Sequence, residues 1–206
     1  MLTLRASWPG GPWLSTYADP VTQPDSPPET FSRALQSLRA ARLRPEITCD
    51  EAPAPQRLAP FSVALTADVV VGDEELGSGR FVVLHNPDGH EAWDGTFRIV
   101  TFARAALDVS MGADPLVTQV GWSWLMECLA AHNLDVIAAS GTVTRVASES
   151  FGSMSDRPVS AELEIRASWT PATDLLGEHL LAWGDLLCTA AGLPPLPAGV
   201  VPLGRR

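Results

Sequence analysis

The sequence predicts a single α+β domain, in which a five-stranded antiparallel sheet is backed by three helices in the order α-βββ-α-ββ-α. Two observations favour this class. The segment from Val159 to Trp169 alternates between apolar and polar side chains, as a strand with one buried and one solvated face does. The connections between the first three predicted strands are short, which favours antiparallel hairpins over a βαβ array.

Proline and glycine mark the ends of the three helices. Ser26 is expected to cap the first helix, with Glu29 completing a capping box, and the helix ends before Pro45. Asn133 is expected to end the second helix in a left-handed conformation, and Gly192 ends the third. The predicted helices span residues 26–43, 114–132 and 174–191.

The five strands are segments rich in β-branched and aromatic residues, each bounded by Gly, Pro or Asp turns. They span residues 61–71, 79–85, 95–104, 141–150 and 159–169. All elements fall within residues 26–193, which form the predicted domain. Residues 1–25 are expected to be a flexible Pro/Gly-rich arm, and residues 194–206 an irregular C-terminal tail.

Composition excludes several classes of function. All 14 basic residues are arginine, so mechanisms that need a lysine, including Schiff bases and Walker phosphate loops, are ruled out. A formal net charge of −10 argues against nucleic-acid binding. The three cysteines are far apart, and no hydrophobic run suits a signal peptide or a membrane span. We therefore expect a cytoplasmic protein without a disulfide framework.

The densest polar cluster lies between His85 and Asp94. His85, Asp88, His90 and Glu91 are candidate ligands for a divalent metal, with Glu91 or Asp94 as general base of a hydrolase. The alternative is a solvated hairpin, because Asn-Pro-Asp-Gly is a typical turn sequence. The hairpin is favoured, since one loop without a second ligand-bearing segment seldom completes a coordination shell.

No catalytic residue is predicted elsewhere. His132 and His179 both fall on predicted helices, and His179 lies beside an apolar face, which favours a hydrogen-bonded structural role. The serine of Gly121-Trp-Ser-Trp lacks the second glycine of a nucleophile elbow and falls inside a helix. No cofactor is predicted.

The predicted sheet carries arginines whose partners depend on strand register. They are Arg98, Arg104, Arg145 and Arg166. Ion pairs with neighbouring glutamates on a solvated face are the favoured interpretation. An anion-binding groove is the alternative if the arginines have no carboxylate partner.

The second predicted helix carries two apolar stripes. One includes Val117 and Trp124 and is expected to cover the sheet. The other consists of Trp122, Met126 and Leu129, which lie more than about 100° away on a helical projection. Either a neighbouring helix or a second molecule must cover this second stripe. Tryptophan and methionine are common at interfaces, so we expect a dimer or partner contact there.

Three sequence blocks resemble an actinobacterial family catalogued as a domain of unknown function, the one numbered three thousand. They are Pro53-Ala-Pro-Gln-Arg-Leu-Ala-Pro60, Val120-Gly-Trp-Ser-Trp-Leu125 and Gly141-Thr-Val-Thr-Arg-Val-Ala-Ser-Glu-Ser-Phe-Gly152. The resemblance implies no activity and no catalytic residues. The element order is also similar to that of type III secretion chaperones, which are small, acidic, dimeric binding proteins.

These observations together predict a cytoplasmic, non-enzymatic protein-binding or chaperone-like module that forms a homodimer and binds neither nucleic acid nor membrane. Two alternatives remain open. One is a metal-dependent hydrolase that uses the loop from His85 to Asp94. The other is a domain that binds a small molecule between the second predicted helix and the sheet.

Overall fold

A computed structural model describes residues 27–195 as a single antiparallel sheet with helices on one face. The predicted arm at residues 1–25, the capping residue Ser26 and most of the predicted tail lie outside the described residues. The strands are β1 (Ile47–Ala52), β2 (Phe61–Val71), β3 (Glu74–His90), β4 (Gly95–Leu107), β5 (Val136–Ser148) and β6 (Ser160–Pro171). The helices are α1 (Glu29–Ala40), α2 (Val109–Ala113), α3 (Val117–Ala131) and α4 (Gly177–Ala190).

The α+β class with one antiparallel sheet is confirmed, but the prediction of five strands and three helices is wrong, because the described chain has six strands and four helices. The additional strand is β1, and the additional helix is α2. Strand β1 contains only six residues, two of them acidic, and Pro45 and Pro53 lie on either side of it. These features resemble a loop more than a strand.

The strands are arranged in the order β1-β2-β3-β4-β6-β5, and every neighbouring pair is antiparallel. Strands β1 and β5 are therefore the two edges. The register between β5 and β6 is interrupted between Ile137 and Ser140, where Ala138 has a φ of 50°. The predicted strand, which began at Gly141, therefore misses the bulged residues at the start of β5.

Alternating residues of each strand form a core face, on which α1, α3 and α4 pack. The hydrophobic core between sheet and helices includes Phe81 and Val83 of β3 and Ile99 of β4. It also includes the fully buried Trp169 of β6 and Trp183 of α4. The opposite sheet face is more polar. It carries a smaller apolar cluster where the segment between β1 and β2 folds over Val82 and Leu84.

Glycine allows the helices to approach the sheet closely. A Cβ at Gly121 of α3 would lie 3.0 Å from Leu163 and 3.2 Å from Val143. The buried stripe of α3 is Val117, Gly121, Leu125 and Leu129. This stripe differs from the predicted one by about one residue, because a glycine in the contact carries no hydrophobic side chain to mark it.

Candidate functional site

The histidines of the predicted metal loop lie in different environments. His85 is on the core face of β3 and is 2% exposed. Its Nδ1 hydrogen-bonds the carbonyl oxygen of Thr96 at 3.0 Å, and its ring stacks on Phe97 with centroids 4.1 Å apart. Burial lowers the pKa of His85 and keeps the imidazole neutral. His85 is therefore a satisfied core residue in this structure.

The remaining candidates of this loop lie on the hairpin between β3 and β4. His90 accepts a hydrogen bond at Nδ1 from the backbone N–H of Ala92, and its ring stacks on Trp93. Asp88 donates its backbone N–H to the side chain of Asn86, as in a turn. Within residues 27–195, no group of three or more His, Cys, Asp or Glu side chains could hold a metal ion. The loop therefore does not gather His85, Asp88, His90 and Glu91 into a coordination site.

A second polar cluster lies between α3 and α4, and sequence reasoning did not identify it. His132 follows α3, and its ring nitrogens lie 3.0 Å from a Glu178 carboxylate oxygen and 2.8 Å from one of Asp185. Burial is the strongest single influence on this imidazole and opposes its charge, but the hydrogen bonds to the two carboxylates outweigh it and raise the pKa of His132.

Cys128 lies one helical turn before His132, and together with Asp185 these residues have the composition of a Cys-His-Asp catalytic triad. The arrangement lacks an available base, because both ring nitrogens of His132 already face carboxylates. Burial and the nearby Asp185 also raise the pKa of the Cys128 thiol to about 12, which keeps it a poor nucleophile. The cluster links two helices and has no group poised for covalent catalysis.

All four sheet arginines have hydrogen-bond partners, and for two of them the partner is a carboxylate. Arg104 donates three hydrogen bonds to Glu162, at 2.5–3.0 Å. Arg166 pairs with Glu164 at 2.6 Å. Arg145 donates to the carbonyl oxygen of Asp114. Two of these residues therefore form the ion pairs that sequence reasoning favoured.

Arg98 is different because it is buried and its hydrogen-bond partners are all neutral oxygens. It is 8% exposed, and burial lowers its pKa. Its guanidinium donates to Thr170 Oγ1, to Ser140 Oγ, to the Ala138 carbonyl and to both oxygens of Ser168, at 2.7–3.3 Å. These contacts attach the bulged start of β5 to β6. Arg98 is consequently occupied by the fold and is not positioned as a receptor for an external anion.

The predicted interface stripe is divided by the structure. Leu129 is 1% exposed and belongs to the core, so it is unavailable to a partner. Trp122 is half-buried, and its ring lies against Gly141 of β5, 2.8 Å from where a Cβ would be. Met126 is 36% exposed. Trp122 and Met126 therefore line the flank of α3 that lies over the edge strand.

Most of the large exposed apolar side chains in the described residues fall in one part of the sequence. Of the eleven large hydrophobic residues exposed in the described chain, nine lie between residues 109 and 159, which contain α2, α3, β5 and the connection to β6. They are Val109, Met111, Leu116, Val120, Met126, Ile137, Phe151, Met154 and Val159.

Two open cavities lie on the helical side of the molecule. One, of about 620 Å³, is bounded by α1 and the edge formed by β1 and β2. The other, of about 1020 Å³, runs between the end of α1, α3 and α4, with Trp124 and Leu181 among its lining residues. Neither is the expected pocket between α3 and the sheet, because Gly121 brings that helix into direct contact with Leu163 and Val143.

Comparison with known protein families gives a match over all of the described residues. A family model described as "Protein of unknown function (DUF3000)" matches residues 27–201. No curated protein and no solved structure matches the chain. In the described residues, no helix is both long enough and apolar enough to cross a membrane.

Proposed function

Because the chain belongs to the DUF3000 family, whose description assigns no function, we propose its function from the geometry alone: it is a non-enzymatic protein-binding module that pairs with a second copy of itself. The single observation that carries this proposal is the open edge of β5. We name this edge and the adjoining flank of α3 the β5 surface; it consists of residues 136–148 together with Trp122 and Met126.

The two edges of the sheet differ in how they discourage pairing with another chain. Strand β1 has six residues, carries Asp50 and Glu51, and lies between Pro45 and Pro53. Short length, charge and proline are the usual protections of an edge strand. Strand β5 has thirteen residues, no proline and a single charge, Arg145. A bulge interrupts only the start of β5, and apart from Arg145 the regular part from Ser140 to Ser148 has none of these protections, which makes it a typical site for the addition of a further strand.

A second copy suits this edge electrostatically. The chain carries a net charge of −10, yet β5 contains no acidic residue, so two β5 strands can approach without local acidic repulsion. The regular part of β5 runs from Ser140 to Ser148 and has Thr144 at its centre. In a symmetric antiparallel pair about Thr144, Arg145 of one copy faces Val143 of the other, so no like charges meet.

The chaperone-like character suggested by the element order depends on fold analogy alone, and folds of one topology serve many functions. The hydrolase alternative has less support, because the loop residues His85 and His90 each have a structural partner. The open edge of β5, which carries one charged residue, supports a binding protein more directly than any polar cluster supports catalysis.

Lysine substitution on the two edges tests this pairing. In a monomer, Thr144→Lys on β5 and Thr48→Lys on β1 each place an ammonium opposite an acidic residue of the neighbouring strand, Glu164 or Asp68. In the proposed dimer, the two lysines at position 144 face one another across the twofold axis, which should weaken dimerisation by roughly tenfold or more. Thr48→Lys is the matched control and should leave the dimer unchanged.

The oligomeric state is measured by sedimentation equilibrium and by light scattering coupled to size exclusion. Thr144→Cys adds a positional readout, because directly opposed strand residues lie within the range that a disulfide spans. We expect a covalent dimer for Thr144→Cys under mild oxidation and none for Ser148→Cys. A full-length protein that remains monomeric at high micromolar concentration, or equal weakening by both lysine variants, contradicts the proposal.

A further inference from the structure

We infer that the cavity between α1 and the β1–β2 edge is a binding site for a single-chain amphipathic carboxylate, such as a free fatty acid. This ligand site lies on the helical side of the sheet edge opposite β5, and it is separate from the proposed dimer contact.

The cavity exists because the helices do not cover the whole core face of the sheet. Phe31, Ala34 and Leu38 of α1 are buried against the sheet. Other apolar side chains pack against the same core but remain half-buried, because nothing in the described chain covers their outer side. They are Leu35 of α1, Ile47 and Cys49 of β1, and Val63 and Leu65 of β2.

The size and lining of this cavity are typical of a small-molecule site. Its volume of about 620 Å³ lies within the roughly 300–1,000 Å³ usual for ligand pockets, which are mostly apolar with a few polar groups. The thiol of Cys49 contributes to the apolar wall, because burial and the nearby Asp50 raise its pKa to about 11 and keep it neutral. The cavity is open along one side, and the part of α1 from Phe31 to Arg39 provides a wall about 13 Å long.

Two arginines give the cavity a local positive charge in an acidic protein. Arg39 and Arg42 line it from the end of α1, and neither forms an ion pair with a carboxylate in residues 27–195. Nη1 of Arg42 donates to three carbonyl oxygens at the end of α1, so this helix end presents a guanidinium in place of bare carbonyl groups. Glu51 is the one acidic residue in the lining, which leaves a net charge of +1.

These features together select the chemistry of the ligand. An apolar wall on three elements suits an acyl chain, and arginine binds carboxylates through its planar set of donors. A net lining charge of +1 suits one carboxylate better than a phosphate dianion. A neutral lipid would leave both arginines without a carboxylate partner.

Dodecanoate, used below its micelle concentration, is the probe, and dodecanol is its uncharged counterpart. Isothermal titration should give saturable binding of dodecanoate to the full chain. The variant Arg39→Gln/Arg42→Gln should weaken that binding by roughly tenfold without changing the affinity for dodecanol. The control Arg57→Gln/Arg157→Gln removes the same charge from exposed positions outside the cavity and should bind dodecanoate as the wild type does.

Alkylation of the native cysteines locates the ligand independently of affinity. Cys49 lines the proposed site, whereas Cys128 lines the larger cavity beside α3 and α4. We expect dodecanoate to slow alkylation of Cys49 and to leave that of Cys128 unchanged, as followed by peptide mass spectrometry. Absence of saturable binding, equal affinity in both double-arginine variants, or protection of Cys128 in place of Cys49 overturns the inference.

Discussion

Replacement of Arg98 by methionine should destabilise the fold more than the same replacement of Arg104, although only Arg104 has a carboxylate partner. Arg98 is 8% exposed and donates through Nη1 and Nη2. Nη2 carries only two protons for its four acceptors, so the guanidinium forms about three hydrogen bonds at any one time. Hydrogen bonds from a charged group contribute about 1.5–3 kcal/mol each. The cost of burying the guanidinium, several kcal/mol, offsets much of that sum.

The loss of Arg98 also leaves acceptors without donors. Methionine fills a similar volume but donates nothing, so the carbonyl oxygens of Ala138 and Ser168 lose this donor, at about 1–3 kcal/mol for each oxygen left unsatisfied. We therefore expect Arg98→Met to lower the free energy of unfolding by about 2–4 kcal/mol. Arg104 and Glu162 are both about one-third or more exposed, and such surface pairs contribute about 0–1 kcal/mol.

Urea denaturation followed by tryptophan fluorescence measures both variants. Hydrogen exchange supplies the local readout, because release of the bulge should raise exchange rates near Ala138 and Ser140 in Arg98→Met alone. If Arg98→Met retains wild-type stability, or if Arg104→Met is the more destabilised variant, the burial cost of the guanidinium outweighs its hydrogen bonds. The conclusion that Arg98 stabilises the attachment of β5 to β6 would then be wrong.

Two histidines should give the fold opposite dependences on pH. Burial lowers the pKa of His179 to about 4, and its Nδ1 accepts a hydrogen bond from Trp169, so its contribution is complete above pH 6.5 and is lost as the pH falls toward 4. The free energy of unfolding of the wild type should therefore fall between pH 7 and pH 4 by up to about 3 kcal/mol more than that of His179→Gln. Equal decreases for the two proteins, measured by urea denaturation, would refute this. The pKa of His132 is raised, so its contribution is complete below pH 6.5 and is lost as the pH rises through the folded-state value. The wild type should exceed His132→Gln in stability at pH 5.5 and approach it at pH 9, and a gap of equal size at both pH values would argue against the two carboxylate contacts.

Local patterns predicted the inner part of the sheet and the three long helices, because each carries a clear period or a strong stop signal. Strand β2 has the predicted bounds, and Asn133 and Gly192 have the positive φ angles expected of helix ends. The edge strand β1 was not predicted, since its short acidic sequence is stabilised by pairing with β2 and not by its own pattern.

The candidate site was harder to predict than the fold, because it depends on which neighbours cover each side chain. His85 appeared in the sequence as part of a polar loop, yet the alternation of Phe81, Val83 and His85 continues along β3 and takes the imidazole into the core. On α3, the predicted core face omitted Gly121, although the closest approach to the sheet occurs there. A hydrophobic pattern identifies helix positions that carry large apolar side chains. Close packing also needs positions with small side chains, such as Gly121, and the hydrophobic pattern does not identify these.

The two edge strands of the sheet, β1 and β5, expose different groups. This difference favours two separate binding surfaces over one. At β1 the backbone edge is protected by prolines and acids, but helices cover the face above it only in part, which leaves an apolar cavity beside Arg39. At β5 the face is covered by α3, but the backbone edge is open and bordered by exposed hydrophobic residues such as Met126. An uncovered face is shaped to enclose a small apolar ligand, whereas an uncovered edge offers backbone hydrogen bonds to another strand. If both proposals hold, dodecanoate binding and dimerisation should be independent, and Thr144→Lys should leave the affinity for dodecanoate unchanged.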